Sequence, residues 1–371
     1  MMKILLIIDS LGSGGAQRQI LNLAQGLKKR NHEVELFYYK SESDFFLKKL
    51  SDSKIKFHKS EKSKMVAIAR HLKTILNLRK LLKQDFDAII SFMHIPSIYS
   101  CLAKVGIKRG KLIVCERNSS LANTPFLIKL LFYFSCLFSD SIVANSITET
   151  LLLKKRFPNK KEIHTIWNGY STNKFTNENN LKNVNLTNKL LVIGRITFQK
   201  NGYNLLKSMK LFYDKNGWMP EINWAGRIDI NDKKSKMMKE KMDQILNSNP
   251  IINSNLNFLG EVHDVEKLYK ESDALIHVSR YEGFANAICE SMLNNCMVVC
   301  SRVCDNDIVI DSTRGVLCNH LEPDSIFNSI DSVYKMNTQT RLEILNNAKK
   351  FALEKFSLEK MTKLYEDVIL N

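Results

Sequence analysis

The sequence predicts an α/β protein of two doubly wound parallel sheets, and three features point to it. Apolar runs of strand length recur along the chain without alternating polar positions, as strands buried on both faces do. Segments whose apolar residues return every three or four positions alternate with these runs, which is the order that builds parallel sheets flanked by helices. From Ser171 to Asn188 the chain turns polar, rich in Asn, Thr and Lys and without hydrophobic periodicity, so a linker divides the set in two.

With 371 residues and 44% hydrophobic content the chain can bury two cores. Its net charge of +17 is lopsided: residues 1–170 hold 29 Lys and Arg against 13 Asp and Glu, the remainder 26 against 25. The first half therefore attracts anionic partners such as acidic lipid headgroups or polyphosphate, unless the lysines are only a solubilising surface. No aromatic-and-basic ribonucleoprotein motif or DNA-reading helix accompanies the charge, so no nucleic-acid partner is expected. Met1 to Ile8 reads as a buried strand rather than a signal peptide, and Pro125 to Phe138, broken by Lys129, is too short to span a bilayer. A cytoplasmic location is the expectation. Cys289, Cys296 and Cys300 fall in core segments, and Cys300-x3-Cys304 has no partner at zinc spacing, so reduced thiols and no metal are expected.

Lys3–Asp9 opens the first half as a strand, and Leu11-Gly-Ser-Gly-Gly-Ala-Gln-Arg18 turns it into a helix with Ile20, Leu21, Ala24 and Leu27 on one face. Gly12, Gly14 and Gly15 lack the spacing of a dinucleotide loop and suit a backbone crowded against a ligand. Arg18 is placed to meet an acceptor phosphate or to lie on the surface. His32–Tyr39 is the next strand. Lys48 to Lys83 reads as an amphipathic helix, with Ile68, Leu72, Ile75, Leu76 and Leu78 as its apolar face and lysines outside.

Asp87–Ser91 is a strand that runs into Phe92-Met-His94, so His94 lies beyond a strand's carboxyl end, where open α/β sheets bind ligands. Lys111–Cys115 runs likewise into Glu116, Arg117 and Asn118, which form either a Glu-Arg pair closing a loop or a contact to acceptor or phosphate. Phe126–Phe138 reads as a core helix, or as one whose partly exposed apolar face suits an anionic membrane interface. Strands at Asp140–Ser146 and Ile163–Gly169 complete the half.

The second half places strands at Lys189–Ile193, Glu221–Trp224, Asn255–Phe258, Ala274–Val278, Met297–Val299 and Gly315–Leu317, then helices at Thr338–Lys355 and Leu358–Ile369. Arg195 and Lys200, in Gly194-Arg-Ile to Lys-Asn-Gly202, are spaced to converge on a diphosphate, Arg195 bidentately and Lys200 as a point charge. Gly226 and the Gly260-Glu-Val262-His263 run end two further strands, where open sheets bind ligands, so Gly226 is a further candidate contact to the nucleotide-bearing ligand.

The organising stretch is Ser279-Arg-Tyr-Glu-Gly-Phe-Ala-Asn-Ala-Ile-Cys-Glu290, a strand-turn-helix junction. Gly283 permits close approach of a ligand, and the amides of Phe284, Ala285 and Asn286 at a helix start favour a phosphate. Glu290 lies roughly 9 Å further along that helix, with Glu282 on the other side of the amides.

This Glu-x7-Glu element resembles the signature of the family 4 (GT4) retaining glycosyltransferases of GT-B fold. The Gly-Arg-x4-Lys element, the Gly-Gly-Ala loop at Gly15 and the Asn-Gly strand end at Gly169 resemble the same family, over nearly the whole chain and in order. Cys115-Glu-Arg-Asn118 is similar to a stretch in its bacterial N-acetylgalactosamine-type subgroup. The resemblance implies two Rossmann-like domains facing across a cleft: 1–170 for the acceptor, 189–355 for the nucleotide sugar, with 356–371 as a helix returning to the first. It implies Glu282 beside the donor sugar, Glu290 on the ribose, His94 near the sugar, and Val262 and His263 against the base. Ala285 departs from the Gly or Pro of many relatives and narrows the amide pocket.

The activity expected is therefore retaining, metal-independent transfer from a nucleotide diphosphate sugar, UDP-linked by family likeness, to a saccharide or lipid-linked saccharide hydroxyl. Arg195, Lys200 and the loop amides would meet the departing charge. A nucleotide-sugar epimerase or hydrolase of the same fold and a basic nucleic-acid-binding protein are the alternatives.

Overall fold

The computed structural model describes residues 1–40, 45–60, 67–119, 124–172, 175 and 186–371. The chain forms two compact units, Met1–Ser171 with Phe356–Asn371, and Thr172–Lys355. Most of the expected linker, 173–174 and 176–185, lies outside the described residues.

Among the described residues the first unit holds seven strands, β1 (Lys3–Ile7), β2 (Glu33–Tyr38), β3 (Lys56–Lys59), β4 (Ala88–Phe92), β5 (Lys111–Glu116), β6 (Ser141–Ala144) and β7 (Ile163–Thr165). They pair in the order β3-β2-β1-β4-β5-β6-β7, every pairing parallel. The helices that connect them are α1 (Gly15–Lys29), α2 (Leu47–Asp52), α3 (Ala67–Leu82), α4 (His94–Lys104), α5 (Phe126–Phe138) and α6 (Ile147–Arg156). Because β1 is buried on both sides, Ile4, Leu6 and Ile8 join one core with α1, while Leu5 and Ile7 join another with α3, α4 and α5.

Two readings of the first half need correction. The helix expected over 48–83 is α2, the edge strand β3 and α3, with 61–66 outside the described residues. β3 is hidden in the sequence because Lys56 and His58 have a buried partner that lies outside it. Lys56 Nζ lies 2.9 Å and His58 Nε2 2.6 Å from the carboxylate of Glu35 on β2, which is 1% exposed. On α3, moreover, Ile68, Leu72 and Leu76 face solvent, and burial falls to Thr74, Leu78, Leu81 and Leu82.

The second unit repeats the plan. Strands β8 (Lys189–Ile193), β9 (Glu221–Ala225), β10 (Leu256–Gly260), β11 (Ala274–His277), β12 (Met297–Ser301) and β13 (Val316–Cys318) lie in the order β10-β9-β8-β11-β12-β13, all parallel. Its helices are α7 (Gly202–Asn216), α8 (Lys233–Ser248), α9 (Pro250–Ser254), α10 (Val265–Lys270), α11 (Asn286–Leu293), α12 (Asn306–Val309), α13 (Pro323–Lys335) and α14 (Thr338–Lys355). In each sheet the strand order reverses once, between β1 and β4 and between β8 and β11. Open α/β sheets leave a crevice beyond the strand ends at such a point.

The last helix, α15 (Leu358–Leu370), packs on α1 in the first unit. Backbone bonds Tyr170 N–H to Phe356 O (2.9 Å) and Leu358 N–H to Tyr170 O (2.8 Å) lead the chain in. Arg30 Nε and His32 Nε2 each sit 2.6 Å from the Glu366 carboxylate, and Lys111 Nζ donates to Val368 O at 2.7 Å, satisfying a carbonyl in the last turn. Gly26 lets the two helices approach, since a Cβ there would stand 2.1 Å from Thr362 Oγ1.

Gly26→Ala sets helix propensity, worth about 1 kcal/mol in its favour, against overpacking, which costs about 1–3 kcal/mol. Overpacking is expected to win, so urea unfolding of Gly26→Ala should show a loss of stability. Adding Thr362→Ala removes the oxygen in the way and should recover most of the loss; no recovery would mean the crossing does not depend on this glycine.

Candidate active site

In the second unit the site grows from the ends of β8 and β11, the two strands flanking the point where the order reverses. After β8 the chain makes a turn of 3-10 helix, Phe198–Lys200, and after β11 it makes the loop that carries Glu282. The two segments clasp one another: Arg280 N–H donates to Gln199 O at 2.8 Å, and Gln199 Nε2 donates to Tyr281 O at 2.9 Å. Arg280 also lies over the Phe198 ring, 4.5 Å from its centre.

This clasp brings Lys200 Nζ to 2.6 Å from Glu282 Oε1. His277 Nε2 is 3.1 Å from the same oxygen, and because a carboxylate only accepts, the imidazole donates to it. Glu282 is 8% exposed and His277 3%. Burial opposes ionisation of Glu282, but the charge of Lys200 and the hydrogen bonds from His277 and Lys200 outweigh it and hold the carboxyl well below the usual range. Burial, reinforced by Lys200, lowers the pKa of His277, so at neutral pH the imidazole is uncharged. Lys200 therefore supplies the compensating charge, and His277 a hydrogen bond.

Two glycines make room for this. A Cβ on Gly194, whose φ is +140°, would meet Lys200 Cε at 2.5 Å, so the lysine stem lies across the bare backbone. Gly226, which the sequence offered as a ligand contact, has φ +154°, and a Cβ there would stand 2.1 Å from Gly194 O. Its missing side chain is accounted for by the neighbouring chain rather than a phosphate. Trp224 Nε1 donates to that same carbonyl at 2.8 Å.

Arg195 does not share the carboxylate of Glu282. Its Nη1 is 2.5 Å from Asp229 Oδ2 and the side chain is 57% exposed. Each of the two cations expected at the diphosphate thus has an acid partner of its own. The loop amides also differ from expectation in one respect: Asn286 N–H is already bonded to Phe284 O at 3.1 Å. Phe284 and Ala285 are buried, Gly283 O accepts the Cys304 thiol at 2.8 Å, and α11 begins at Asn286. Glu290, on α11, receives the Tyr269 hydroxyl at 3.3 Å. Val262 is half-buried and His263 exposed on the loop between β10 and α10.

In the first unit Gly15 and Arg18 begin α1, Gly15 exposed and Arg18 half-buried. His94 opens α4 after Met93, whose φ is +81°. His94 Nε2 lies 2.8 Å from Glu116 Oε2, and Glu116 Oε1 accepts the Asn118 amide at 2.8 Å. The pair at this strand end is His-Glu, not Glu-Arg. Arg117 is a correction: it is 7% exposed, donates to Asn168 Oδ1 at 2.5 Å and to the Tyr365 hydroxyl, and lies over the Phe92 ring. Those contacts tie α15 to the end of β5 and give Arg117 a structural role in the first unit.

His277, Asp229 and Tyr269 were missed in the sequence. A signal existed for His277, because a polar residue inside Ala274-Leu-Ile-His-Val278 must have a buried partner. Asp229 and Tyr269 lie far from their partners along the chain and carried none. Among the described residues no group of three or more His, Cys, Asp or Glu is arranged to hold a metal ion.

Comparison with known proteins agrees with this layout. Residues 173–351 match the family described as glycosyl transferases group 1, and residues 13–174 match Glycosyltransferase Family 4. The chain is 26% identical over 362 residues, 94% of its length and 93% of the other's, to a Campylobacter jejuni GalNAc-alpha-(1->4)-GalNAc-alpha-(1->3)-diNAcBac-PP-undecaprenol alpha-1,4-N-acetyl-D-galactosaminyltransferase. It is 24% identical over 299 residues, 78% of each chain, to the Erwinia amylovora amylovoran biosynthesis glycosyltransferase AmsD. The crystal structure of Anabaena HepE in complex with UDP and glucose matches the fold with a TM-score of 0.83 at 16% identity, covering 100% of both chains. With two doubly wound sheets, a lysine-held glutamate where the strand order reverses, and family matches running from residue 13 to residue 351, the chain belongs to the family 4 glycosyltransferases of GT-B fold.

Proposed function

We propose that this glycosyltransferase moves a sugar from a UDP-sugar to a hydroxyl of a lipid-linked saccharide in surface polysaccharide assembly, with retention at the anomeric carbon and without a metal. The observation that carries the reading is the Lys200–Glu282–His277 cluster at the carboxyl ends of β8 and β11. The donor follows HepE, whose structure holds UDP and glucose, and the acceptor follows the undecaprenol-linked saccharide in the name of the Campylobacter relative.

In this reading the diphosphate draws Lys200 from Glu282 and Arg195 from Asp229, and the two cations meet its charge through preorganised electrostatics. Glu282, kept ionised and still bonded to His277, then accepts donor-sugar hydroxyls and stabilises positive charge at the anomeric carbon. The bond from that carbon to the phosphate oxygen breaks with its electron pair going to the phosphate. The acceptor oxygen bonds to the carbon from the same face, and its proton passes to the departing phosphate. Glu290 holds the ribose, the loop with Val262 and His263 packs on the base, and the His94–Glu116 pair faces the acceptor.

A thermal-shift panel of UDP, UDP-sugars and GDP-sugars tests the donor. At a hundredfold excess over Kd a ligand adds about 2.7 kcal/mol, which raises Tm by about 5 °C or more for a domain of this size. A shift with GDP-sugars alone would refute the UDP reading, and UDP release at equal rates with and without a saccharide acceptor would indicate hydrolysis rather than transfer.

Lys200→Ala leaves a buried carboxylate without its cation and is expected to lower kcat/KM by about 10²–10³-fold, with Arg195→Ala lowering it less. Activity unchanged in both variants would remove the proposed charge stabilisation.

His277 and Glu282 both have lowered pKa values in the folded state, so each binds its proton more weakly there than in the unfolded chain. Stability should fall as pH drops below the ordinary histidine value and again below the ordinary carboxylate value, by up to about 1.4 kcal/mol per pH unit for each proton. Thermal scans from pH 7 to pH 5 should show a shallower fall for His277→Asn than for the parent; identical slopes would show that His277 does not titrate in this way.

A further inference from the structure

Helices α3, α4 and α5 pack side by side over one face of the first unit's sheet. Their outward side is apolar in a way that the core does not use. On α3 the residues Ile68, Leu72 and Leu76 stand one turn apart in a row, 73%, 56% and 63% exposed, while Leu78, Leu81 and Leu82 fill the core behind them. On α5, Phe126, Phe134 and Phe138 are 81%, 49% and 74% exposed, and only Phe132, Ser135 and Cys136 are buried. Leu102 and Val105, at the end of α4, are exposed as well. A soluble surface does not ordinarily gather so many large apolar side chains.

The charge on the same helices has one sign. Their sequences contain no Asp or Glu, and they carry Arg70, Lys73, Arg79, Lys80, Lys104 and Lys129. We propose that the outer face of α3, α4 and α5 is the surface by which this enzyme sits on an anionic lipid bilayer. The apolar rows enter the acyl boundary while the basic side chains reach acidic headgroups, as in helices that lie in the plane of a membrane. At about 1.5 Å per residue α5 is roughly 20 Å long, shorter than a bilayer's hydrocarbon core, and no described helix is long and apolar enough to cross.

Two other occupants fit less well. A second copy docking face to face would set six cations against six with no carboxylate between them. A nucleic acid would answer the charge and leave the rows of Leu, Ile and Phe in water. The proposal deepens the reading of a lipid-linked acceptor, but the surface is measured without turnover.

The test is flotation of the full chain with phosphatidylglycerol-containing vesicles, against pure phosphatidylcholine vesicles, at low and high salt. Binding is expected on the anionic vesicles at low salt, and weaker binding on raising salt or omitting phosphatidylglycerol. The variants Ile68→Ser/Leu72→Ser/Leu76→Ser and Phe126→Ser/Phe138→Ser should each lower the bound fraction, and Arg70→Glu/Lys80→Glu should lower it by about tenfold or more. All three replace exposed residues, so their melting temperatures and nucleotide-sugar thermal shifts should match the parent.

Absence of flotation at low salt overturns the proposal, as does binding that all three variants leave unchanged. Self-association of the parent that Ile68→Ser/Leu72→Ser/Leu76→Ser abolishes, with no vesicle binding, would assign the face to a second copy instead. Flotation without any nucleotide-sugar thermal shift keeps this proposal and refutes the donor reading; donor binding without flotation does the reverse.

Discussion

A carboxylate that must stay ionised while shut away from water governs the second unit. Glu282 meets that requirement through one cation, Lys200 at 2.6 Å, and one neutral donor, His277 at 3.1 Å. Removing a charge from water costs several kcal/mol unless a partner is held in place, so the structure around the pair is mostly positioning. Gly194 gives passage to the lysine stem, Gly226 gives passage to Gly194, and Trp224 holds the Gly194 carbonyl. The reversal of strand order between β8 and β11 is what puts both halves of the pair at the same end of the sheet. The Gly-Arg-x4-Lys and Glu-x7-Glu elements, separate in sequence, are therefore one packing problem.

The first unit spreads its buried polar pairs over several places instead. At its strand ends His94 pairs with Glu116, and Arg117, held by Asn168 and Tyr365, acts as a fastener between distant parts of the chain. Gln19 and Asn22 of α1 similarly take the Gly169 amide and carbonyl, at 3.0 and 2.9 Å. The unit's large positive charge is thus left for its outside.

The architecture was legible because burial on both faces leaves a mark in sequence: Ile4 to Ile8 or Met297 to Cys300 have no polar position to confuse with anything else. The donor elements were legible as well, since Gly-Arg-x4-Lys and Glu-x7-Glu each lie within a few turns of chain. What escaped was whatever depended on a partner distant in sequence. β3 looked like a basic helix because nothing local says that Lys56 and His58 pair with Glu35. Arg117 looked like a ligand contact because Tyr365 lies 248 residues away. The apolar residues of α3 were assigned to the core because periodicity counts apolar positions without saying which face is inward.

The placement of α15 bears on how the protein comes to be folded. The second unit is one uninterrupted stretch, Thr172–Lys355, and can close while the ribosome is still adding residues. The first unit is begun earlier and finished later, because Tyr365 and Glu366 are synthesised after every residue of the second. Until then the hydroxyl partner of Arg117 and the carboxylate partner of Arg30 and His32 do not exist. A nascent chain halted before residue 356 would thus carry a complete second unit beside a half-built first one, its α1 flank still open to chaperones and proteases.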